Sequence, residues 1–322
     1  MTTKETVLQC LTQADGAAVS GAQMAEQAGV SRAAVWKAIC ALRDDGYAID
    51  AVTRGGYTLR ADSGKLTAAA VTAHLHTNGL SVTALDIAES TNTCVRRLAE
   101  DGAPEGTVVV AAEQTAGRGR SGKSFLSPAG TGVYMSVLLR PALTMHDSLL
   151  ITTAAAVAVA RAIERTVGVT AKIKWVNDVY VDGKKVCGIL TEGALDLENG
   201  GLRYAVLGIG INICPPAGGF PPELASIAGA LTETGGEALR APLTAAVLDE
   251  FFALYPHLTE KPFFEDYVSR SLLTGRQIEV LRGGTRIPAA VRGIDGDFHL
   301  HVIYADGREE HLAAGEVSTR PL

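Results

Sequence analysis

Between Gly117 and Lys123 three glycines alternate with three cations, within the run Glu113-Gln114-Thr115-Ala116-Gly117-Arg118-Gly119-Arg120-Ser121-Gly122-Lys123. Glycines permit close backbone approach to a ligand and let a loop stay mobile until a ligand orders it. Guanidinium groups supply forked donors that match phosphate or carboxylate oxygens. The chemistry on offer is anion binding by a Gly/Arg loop, although a bare Gly-Arg repeat is also the composition of a solvated surface turn. The spelling from Gly117 to Gly122-Lys123-Ser124 satisfies the bare pattern of a nucleotide P-loop, but Phe125, Pro128, Gly130 and Gly132 follow where the phosphate-cradling helix would have to begin. That context argues against a P-loop.

Three further stretches carry polar groups that could face the same ligand. Glu89-Ser90-Thr91-Asn92 ends a strand-like run, Val82 to Ala88, and opens a helical run, Val95 to Glu100. Its hydroxyls and amide could bind a polar head, or Ser90 could simply cap the helix. Lys174-Trp175-Val176-Asn177-Asp178 leads into Val179-Tyr180-Val181, an Asp182-Gly183 turn and a returning run from Lys184 to Glu192, the pattern of a β-hairpin. Asn177-Asp178 could be only a turn, and Lys184 only a solvated hairpin tip. Lys185 begins the returning strand, where a lysine can be held pointing into a pocket. Val206-Leu207-Gly208-Ile209-Gly210-Ile211-Asn212-Ile213 puts glycines at alternate positions of an apolar strand, so one strand face is bare. A bare face admits a flat ligand or another backbone, or only tightens sheet packing. Asn212 could meet a nucleotide ribose or just end the strand.

The elements around these groups read as an α+β fold. From about residue 65 to 270, strand runs such as Thr107 to Ala112, Val133 to Leu139 and Tyr204 to Ile213 alternate with helical runs such as Ser148 to Val167. From residue 271 to 322 short strands (Gln277 to Leu281, Thr285 to Arg292, Phe298 to Ile303, Glu309 to Leu312) are separated by Gly- and Asp-rich turns, which predicts a small antiparallel barrel. Pro215 to Gly219 is too short for a linker and separates a strand from a helix.

Residues 1–64 form a separate helical module, with a boundary expected near Gly64. Gln23 to Ala28, a tight turn at Gly29, and Ser31 to Arg43 have helix-turn-helix spacing, and Tyr47 to Leu59 around Arg54-Gly55-Gly56 reads as a wing hairpin. Val35 and Ile39 fall on the buried stripe of the second helix, leaving Ser31, Arg32, Ala33, Trp36 and Lys37, with Arg54 in the wing, as candidate DNA contacts. Seven basic and seven acidic side chains among residues 1–65 give no electrostatic footprint, so a protein-contact role for the module also fits.

Composition excludes several classes. The net charge of -6 argues against a wholesale nucleic-acid coat. No apolar run approaches the ~20 residues of a membrane helix, and a cytoplasmic protein is expected. Five scattered cysteines without a C-x-x-C pair fit neither a disulfide framework nor a zinc knuckle. The His74/His76 and His299/His301 pairs are read as bland, and no metal site is expected.

Taken in order, the ESTN, EQTAGRGRSGKSF, KWVND, KKVCGIL and GIGIN segments resemble the bifunctional biotin protein ligase and biotin-operon repressor family, and the two flanking modules extend the resemblance over essentially the whole chain. The resemblance implies a winged helix-turn-helix domain, a central mixed sheet of class II synthetase-like type and an SH3-like C-terminal barrel. It implies biotin contacts from Ser90, Thr91, Asn92, Gln114, Arg118, Gly119, Arg120 and Lys185, with Gly188 and Gly208 bordering the bicyclic ring and its tail. Gly117 and Asn212 are expected in the same adenylate-binding shell. ATP and biotin are the implied substrates with Mg²⁺; Arg118, Arg120 and Lys185 would carry the chemistry, with Asp178 assisting through water. A biotin carboxyl carrier domain of acetyl-CoA carboxylase, operator DNA and a second copy of the chain are the implied partners. Two positions depart from the family pattern: Lys123-Ser124-Phe125 stands where Arg or Lys followed by a tryptophan or similar aromatic is usual, and Val176 where proline is usual.

Overall fold

The computed structural model describes residues 2–14, 16–44, 47–52, 55–60, 66–144, 146–195, 201–313 and 316–318. Three helices come first, α1 (Thr3–Gln13), α2 (Gly21–Ala28) and α3 (Arg32–Asp44), then an antiparallel hairpin of β1 (Ile49–Val52) and β2 (Gly56–Leu59). Thr2 and Ser20 each form a capping box with Glu5 and Gln23, satisfying amides that the first turn leaves unpaired. The tight turn ends α2 on Gly29 at φ 63°, a conformation that costs glycine nothing. Ser31 Oγ accepts from the Ala34 amide and starts α3. Val35 and Ile39 are buried with Val7, Leu11, Met24 and Leu42, while Arg32, Ala33, Trp36 and Lys37 are exposed, as the helical spacing predicts. Gly56 admits no other residue: its φ is 107° and a Cβ would lie 2.1 Å from the Val19 carbonyl oxygen. Arg54 and the expected boundary at Gly64 lie outside the described residues.

After α4 (Ala68–His74), a seven-stranded mixed sheet runs in the order β3-β4-β5-β9-β8-β7-β6. β3 (Ser81–Ala88) and β4 (Thr107–Gln114) are parallel and joined through α5 (Thr91–Glu100). β5 (Gly132–Leu139), β6 (Lys172–Lys174), β7 (Asp178–Val181), β8 (Lys184–Leu195) and β9 (Leu202–Asn212) add antiparallel pairs. α6 (Leu149–Val167), followed after the last strands by α7 (Pro222–Ala225) and α8 (Arg240–Leu254), completes the central part. α6 and α8 cover one sheet face, and the buried alanines of α6, such as Ala154, Ala158 and Ala162, let the two helices approach closely. α5 covers the other face, packing Val95 and Ala99 on Val109, Leu138, Tyr204 and Val206.

Strand alternation then decides what each face carries. Leu207, Ile209 and Ile211 of β9 enter the large core under α6, so Gly208 and Gly210 fall on the α5 face; Cys187 and Ile189 of β8 likewise leave Gly188 and Glu192 there. Gly188 lies directly opposite Gly210.

The chain ends with α9 (Phe264–Ser269) and a five-stranded antiparallel sheet, order β13-β12-β11-β10-β14, made of β10 (Gln277–Arg282), β11 (Thr285–Ile294), β12 (Leu300–Tyr304), β13 (Glu309–Leu312) and β14 (Glu316–Ser318). Its inner residues Ile278, Val280, Val291, Leu300 and Val302 belong to the same buried cluster as the central sheet. Phe298 joins them: its ring stacks on Phe263 at 5.3 Å, and its carbonyl accepts from Trp175 Nε1 at 2.8 Å.

Candidate active site

A cavity of about 350 Å³, within the usual size of a small-molecule site, opens on the α5 face of the sheet. Its floor is the glycine face of β8 and β9, and its walls come from the start of α5, the Gly/Arg loop, the Lys174–Asp178 turn and the segment Phe220–Ala228.

The start of α5 is not an ordinary cap. Ser90 makes no side-chain cap hydrogen bond, and Ser90, Thr91 and Asn92 are all buried. The Thr91 amide and hydroxyl both donate to Gln114 Oε1, at 2.9 and 3.1 Å, and Gln114 Nε2 donates to Ser127 Oγ at 2.8 Å. Asn92 lies flat on β9 because Gly208 makes room: a Cβ there would sit 2.1 Å from Asn92 Oδ1. Ser136 Oγ is 2.6 Å from that oxygen, and Asn92 Nδ2 donates to Glu192 Oε2 at 2.8 Å. Thr91, Asn92 and Gln114 are thereby fixed before any ligand arrives.

The Gly/Arg loop folds back on itself through an Arg118–Ser124 bridge and a single 3₁₀ turn at Arg120–Gly122, so no helix follows it and the P-loop spelling has no structural counterpart. Gly117, expected in the ligand shell, instead serves the loop's own packing and does not line the cavity: a Cβ would lie 2.3 Å from the Phe125 carbonyl oxygen. Gly119, Arg118 and Arg120 do line it. Phe125 presses its ring on the bare strand face, where a Cβ on Gly210 would meet it at 2.5 Å and one on Gly188 at 3.1 Å. The two glycines therefore accommodate an aromatic ring of this chain at the cavity wall.

Three cations of the site, Arg118, Arg120 and Lys185, are each held by an identifiable partner. Arg118 Nη2 lies 3.1 Å from Glu192 Oε1, Arg120 Nη1 donates to Asn177 Oδ1 at 2.9 Å, and Lys185 Nζ lies 2.7 Å from Asp178 Oδ1. That Asp178 oxygen is buried and accepts no hydrogen bond of good geometry, so the ammonium compensates it as an ion pair. Asn177 Nδ2 donates to the Ile189 carbonyl, which ties the turn to the floor. Burial, reinforced by the Asp178 charge, pushes the Tyr180 hydroxyl up to about 12, so it stays protonated at neutral pH. Asp182 and Gly183, both at positive φ, make the two-residue turn that pairs Val181 with Lys184, and a bulge at Val186, between the Tyr180–Lys185 and Val179–Cys187 pairs, offsets the alternation so that Lys185 shares the cavity face with Gly188.

Among the described residues that line the cavity, Arg118, Arg120, Lys123, Lys174 and Lys185 face a single carboxylate, Asp178. An acidic protein has concentrated positive charge at one cleft, which suits an anionic ligand. The profile of the biotin/lipoate A/B protein ligase family matches residues 84–212, the span from β3 to the end of β9. Over 238 residues, 73% of either chain, the sequence is 40% identical to the bifunctional ligase/repressor BirA of Bacillus subtilis.

The chain belongs to this ligase family.

Similarity to the family extends beyond the catalytic sheet. The bifunctional ligase/repressor BirA of Escherichia coli is 32% identical over 318 residues, 95% of this chain and 94% of its own, and a helix-turn-helix profile matches residues 3–58. Among ligase structures, the biotin protein ligase of Aquifex aeolicus in complex with biotin and ATP superposes with a TM-score of 0.58 at 27% identity, covering 74% of this chain and 97% of that one.

Several groups of the site escaped the sequence reading. Ser136 was legible in principle, as a hydroxyl inside the apolar run Val133 to Leu139, where a buried polar atom needs a partner. Glu192 stood inside a motif without a role. Lys184 is not a solvated tip: its Nζ donates to the carbonyls of Ala225 and Ser226 at 2.9 and 3.0 Å. The wall at Phe220–Ala228 carries no local signal, since its apolar residues acquire a function only by lying over the cavity. Three histidines of the two pairs have carboxylate partners: His76 with Asp249, His299 with Asp295 and His301 with Glu309. Among the described residues no group of three or more His, Cys, Asp or Glu side chains is arranged to hold a metal.

Proposed function

We propose that this protein activates biotin with ATP, forming biotinyl-5'-AMP and pyrophosphate, and then transfers the biotinyl group to a lysine of a biotin carboxyl carrier domain. The observation that carries the reading is the cluster of Arg118, Arg120 and Lys185 around a cavity floored by bare strand, in a chain of this family. In the first step a biotin carboxylate oxygen attacks the α-phosphorus and the bond to the pyrophosphate oxygen breaks. Two anions must meet while charge grows on the phosphoryl oxygens, so fixed cations at that point lower the barrier. Arg118, Arg120 and Lys185 take that role, exchanging contacts with Glu192, Asn177 and Asp178 for contacts with substrate oxygens. Ser90, Thr91, Asn92, Gln114, Gly119, Gly188, Gly208 and Asn212 hold the ligand in register. In the second step the neutral amine of the acceptor lysine attacks the anhydride carbonyl and AMP leaves.

Mg²⁺ fits the site as a companion of ATP. It favours one or two carboxylates plus phosphate oxygens and keeps several waters, and Asp178 is the carboxylate that lines the cavity. When bound, the ion screens the triphosphate charge; the chain's own part is to orient Asp178 through Lys185.

The proposal includes cytoplasmic location and a second activity, ligand-dependent repression at operator DNA. A two-fold dimer would present two copies of α3, with Ser31, Arg32, Ala33, Trp36 and Lys37 towards the groove. Among the described residues no helix is long and apolar enough to cross a membrane.

Incubation of the protein with MgATP, labelled biotin and a carrier domain tests the ligase reading: label on the carrier lysine is expected, and its absence, or labelling by lipoate instead, overturns it. Lys185→Met should slow adenylate formation about 10²- to 10³-fold, measured at a temperature where the variant is folded, and should lower the unfolding midpoint because it leaves the buried Asp178 oxygen without its ion-pair partner.

A further inference from the structure

The tandem Lys184-Lys185 sits at the start of β8, where neighbouring side chains point to opposite sides. Lys185 turns inward to Asp178. Lys184 turns the other way and reaches the end of α7, a four-residue helix whose last carbonyls have no partner within so short an element. Its ammonium donates to the carbonyls of Ala225 and Ser226 at 2.9 and 3.0 Å. A lysine is favoured at that end of a helix because its ammonium can hydrogen-bond the last carbonyls.

The backbone beside it is stitched to the same segment. The Lys185 amide donates to the Ile227 carbonyl at 2.8 Å, and the Gly229 amide donates back to the Lys185 carbonyl at 2.8 Å. Gly229 allows this close seat, since a Cβ there would fall 2.4 Å from Lys184 Cβ. Asn212 Nδ2 adds a contact to the Gly229 carbonyl from the end of β9. The segment so fastened brings Phe220, Leu224, Ile227 and Ala228 to the cavity as an apolar wall, and Ile227 remains 49% exposed. An exposed apolar side chain has little packing of its own to hold it, so the polar fastening sets where the wall stands.

We infer that Lys184 is a positioning residue: its ammonium fixes the Phe220–Ala228 wall against the cavity and ties the placement of that wall to the strand that carries Lys185. The inference rests on the ligase reading for what the wall encloses, a reactive acyl-adenylate that must be kept from water. Lys184 itself touches no substrate. Loss of its ammonium leaves the two backbone hydrogen bonds in place, so the segment loosens without departing and substrate binding suffers more than chemistry.

The test compares wild type with Lys184→Met, Lys184→Arg and, as a surface control, Lys172→Met. Two measurements are made on each full-length protein: hydrogen exchange of the amides from residues 222 to 229, and steady-state ligation with biotin, MgATP and a carrier domain. Lys184→Met is expected to speed exchange across that segment and to raise at least one substrate KM about tenfold with kcat changed less than about twofold, a loss in line with one charged hydrogen bond. It should also release more free biotinyl-AMP per carrier labelled. Lys184→Arg should restore most of both properties, and Lys172→Met should match wild type. Unchanged exchange in Lys184→Met, faster exchange with unaltered KM and adenylate release, or failure of Lys184→Arg to rescue would each overturn the inference. A wild-type protein that makes no adenylate would remove the ligase reading, while the exchange data would still report on the fastening by itself.

Discussion

The N-terminal helices and the C-terminal antiparallel sheet flank the same catalytic sheet, yet only the second shares its core. Ile278, Val291, Phe298 and Leu300 are buried in one cluster with residues from β4, β5, α6, β9 and α8. Val7, Leu11, Met24, Val35 and Ile39 form a cluster of their own, and a small crevice of about 40 Å³, lined by Leu11, Tyr47, Leu59, Ala69, Ala70 and Ala73, lies between that module and α4. The C-terminal sheet also reaches the active site through hydrogen bonds: the Phe298 carbonyl accepts from Trp175, and Tyr267 of α9 donates to the Val176 carbonyl, at either side of the peptide that precedes Asn177 and Asp178. A module continuous with the catalytic core can shape the site at every moment. A module with its own core can change its relation to a partner at little cost to the enzyme.

The largest expected effect breaks this comparison if it fails. Phe298→Ala should remove about 3–5 kcal/mol from the unfolding free energy of the catalytic unit and depress ligation, because it opens a void between α9, the C-terminal sheet and Trp175. Denaturant titration and carrier labelling read both consequences; a change confined to a separate C-terminal transition would mean that the cores are not continuous. Next in size, Ile39→Ala should cost about 2–5 kcal/mol in a distinct N-terminal transition, with adenylate formation in the folded enzyme little altered. Calorimetry that shows one merged transition shifting as a whole would contradict the separation.

A third expectation concerns pH at the seam between α6, α9 and β6. The Arg270 guanidinium donates to both Glu164 oxygens, at 2.6 and 3.0 Å, and holds that carboxyl below its ordinary 4.5. A depressed folded pKa contributes stability that is present above the unfolded value and lost as pH falls through the folded one, so the catalytic unit should weaken below about pH 4.5. Glu164→Gln should flatten that acid limb, and an unchanged pH profile would remove the pair from the account; Glu164 is partly exposed, so the effect is modest. Smallest for stability, Trp36→Ala and Lys37→Ala should stay within about 0.5 kcal/mol of wild type while weakening operator binding in a mobility-shift titration. Undiminished operator affinity would move the DNA contact away from α3.

Much of this was legible from local pattern. Periodicity placed α3, with Val35 and Ile39 inward, and the alternation Gly208-Ile209-Gly210-Ile211 announced a bare strand face. The Asp182-Gly183 dipeptide marked the hairpin turn that pairs Val181 with Lys184. These are properties of a few consecutive residues, and short-range sterics and alternation fix them without reference to the rest of the chain. What fills the bare face was not local. Phe125 and Asn92 reach Gly210 and Gly208 from far away in the chain, and only the sheet order β5-β9-β8 brings them together.

The sequence by itself determined which candidate groups the cavity could draw on: the cations of the Gly/Arg loop, the ESTN turn, Lys185 and the glycine strand, each marked by residue type and spacing. The tertiary structure alone decided their partners, placing Glu192 against Arg118, Asn177 against Arg120 and Asp178 against Lys185, packing Gly117 against the Phe125 carbonyl, and setting the Lys184 ammonium on the carbonyls of Ala225 and Ser226. The reason is physical: charge and flexibility belong to a residue, but compensation of a buried charge and enclosure of a cavity depend on which distant segment is packed beside it.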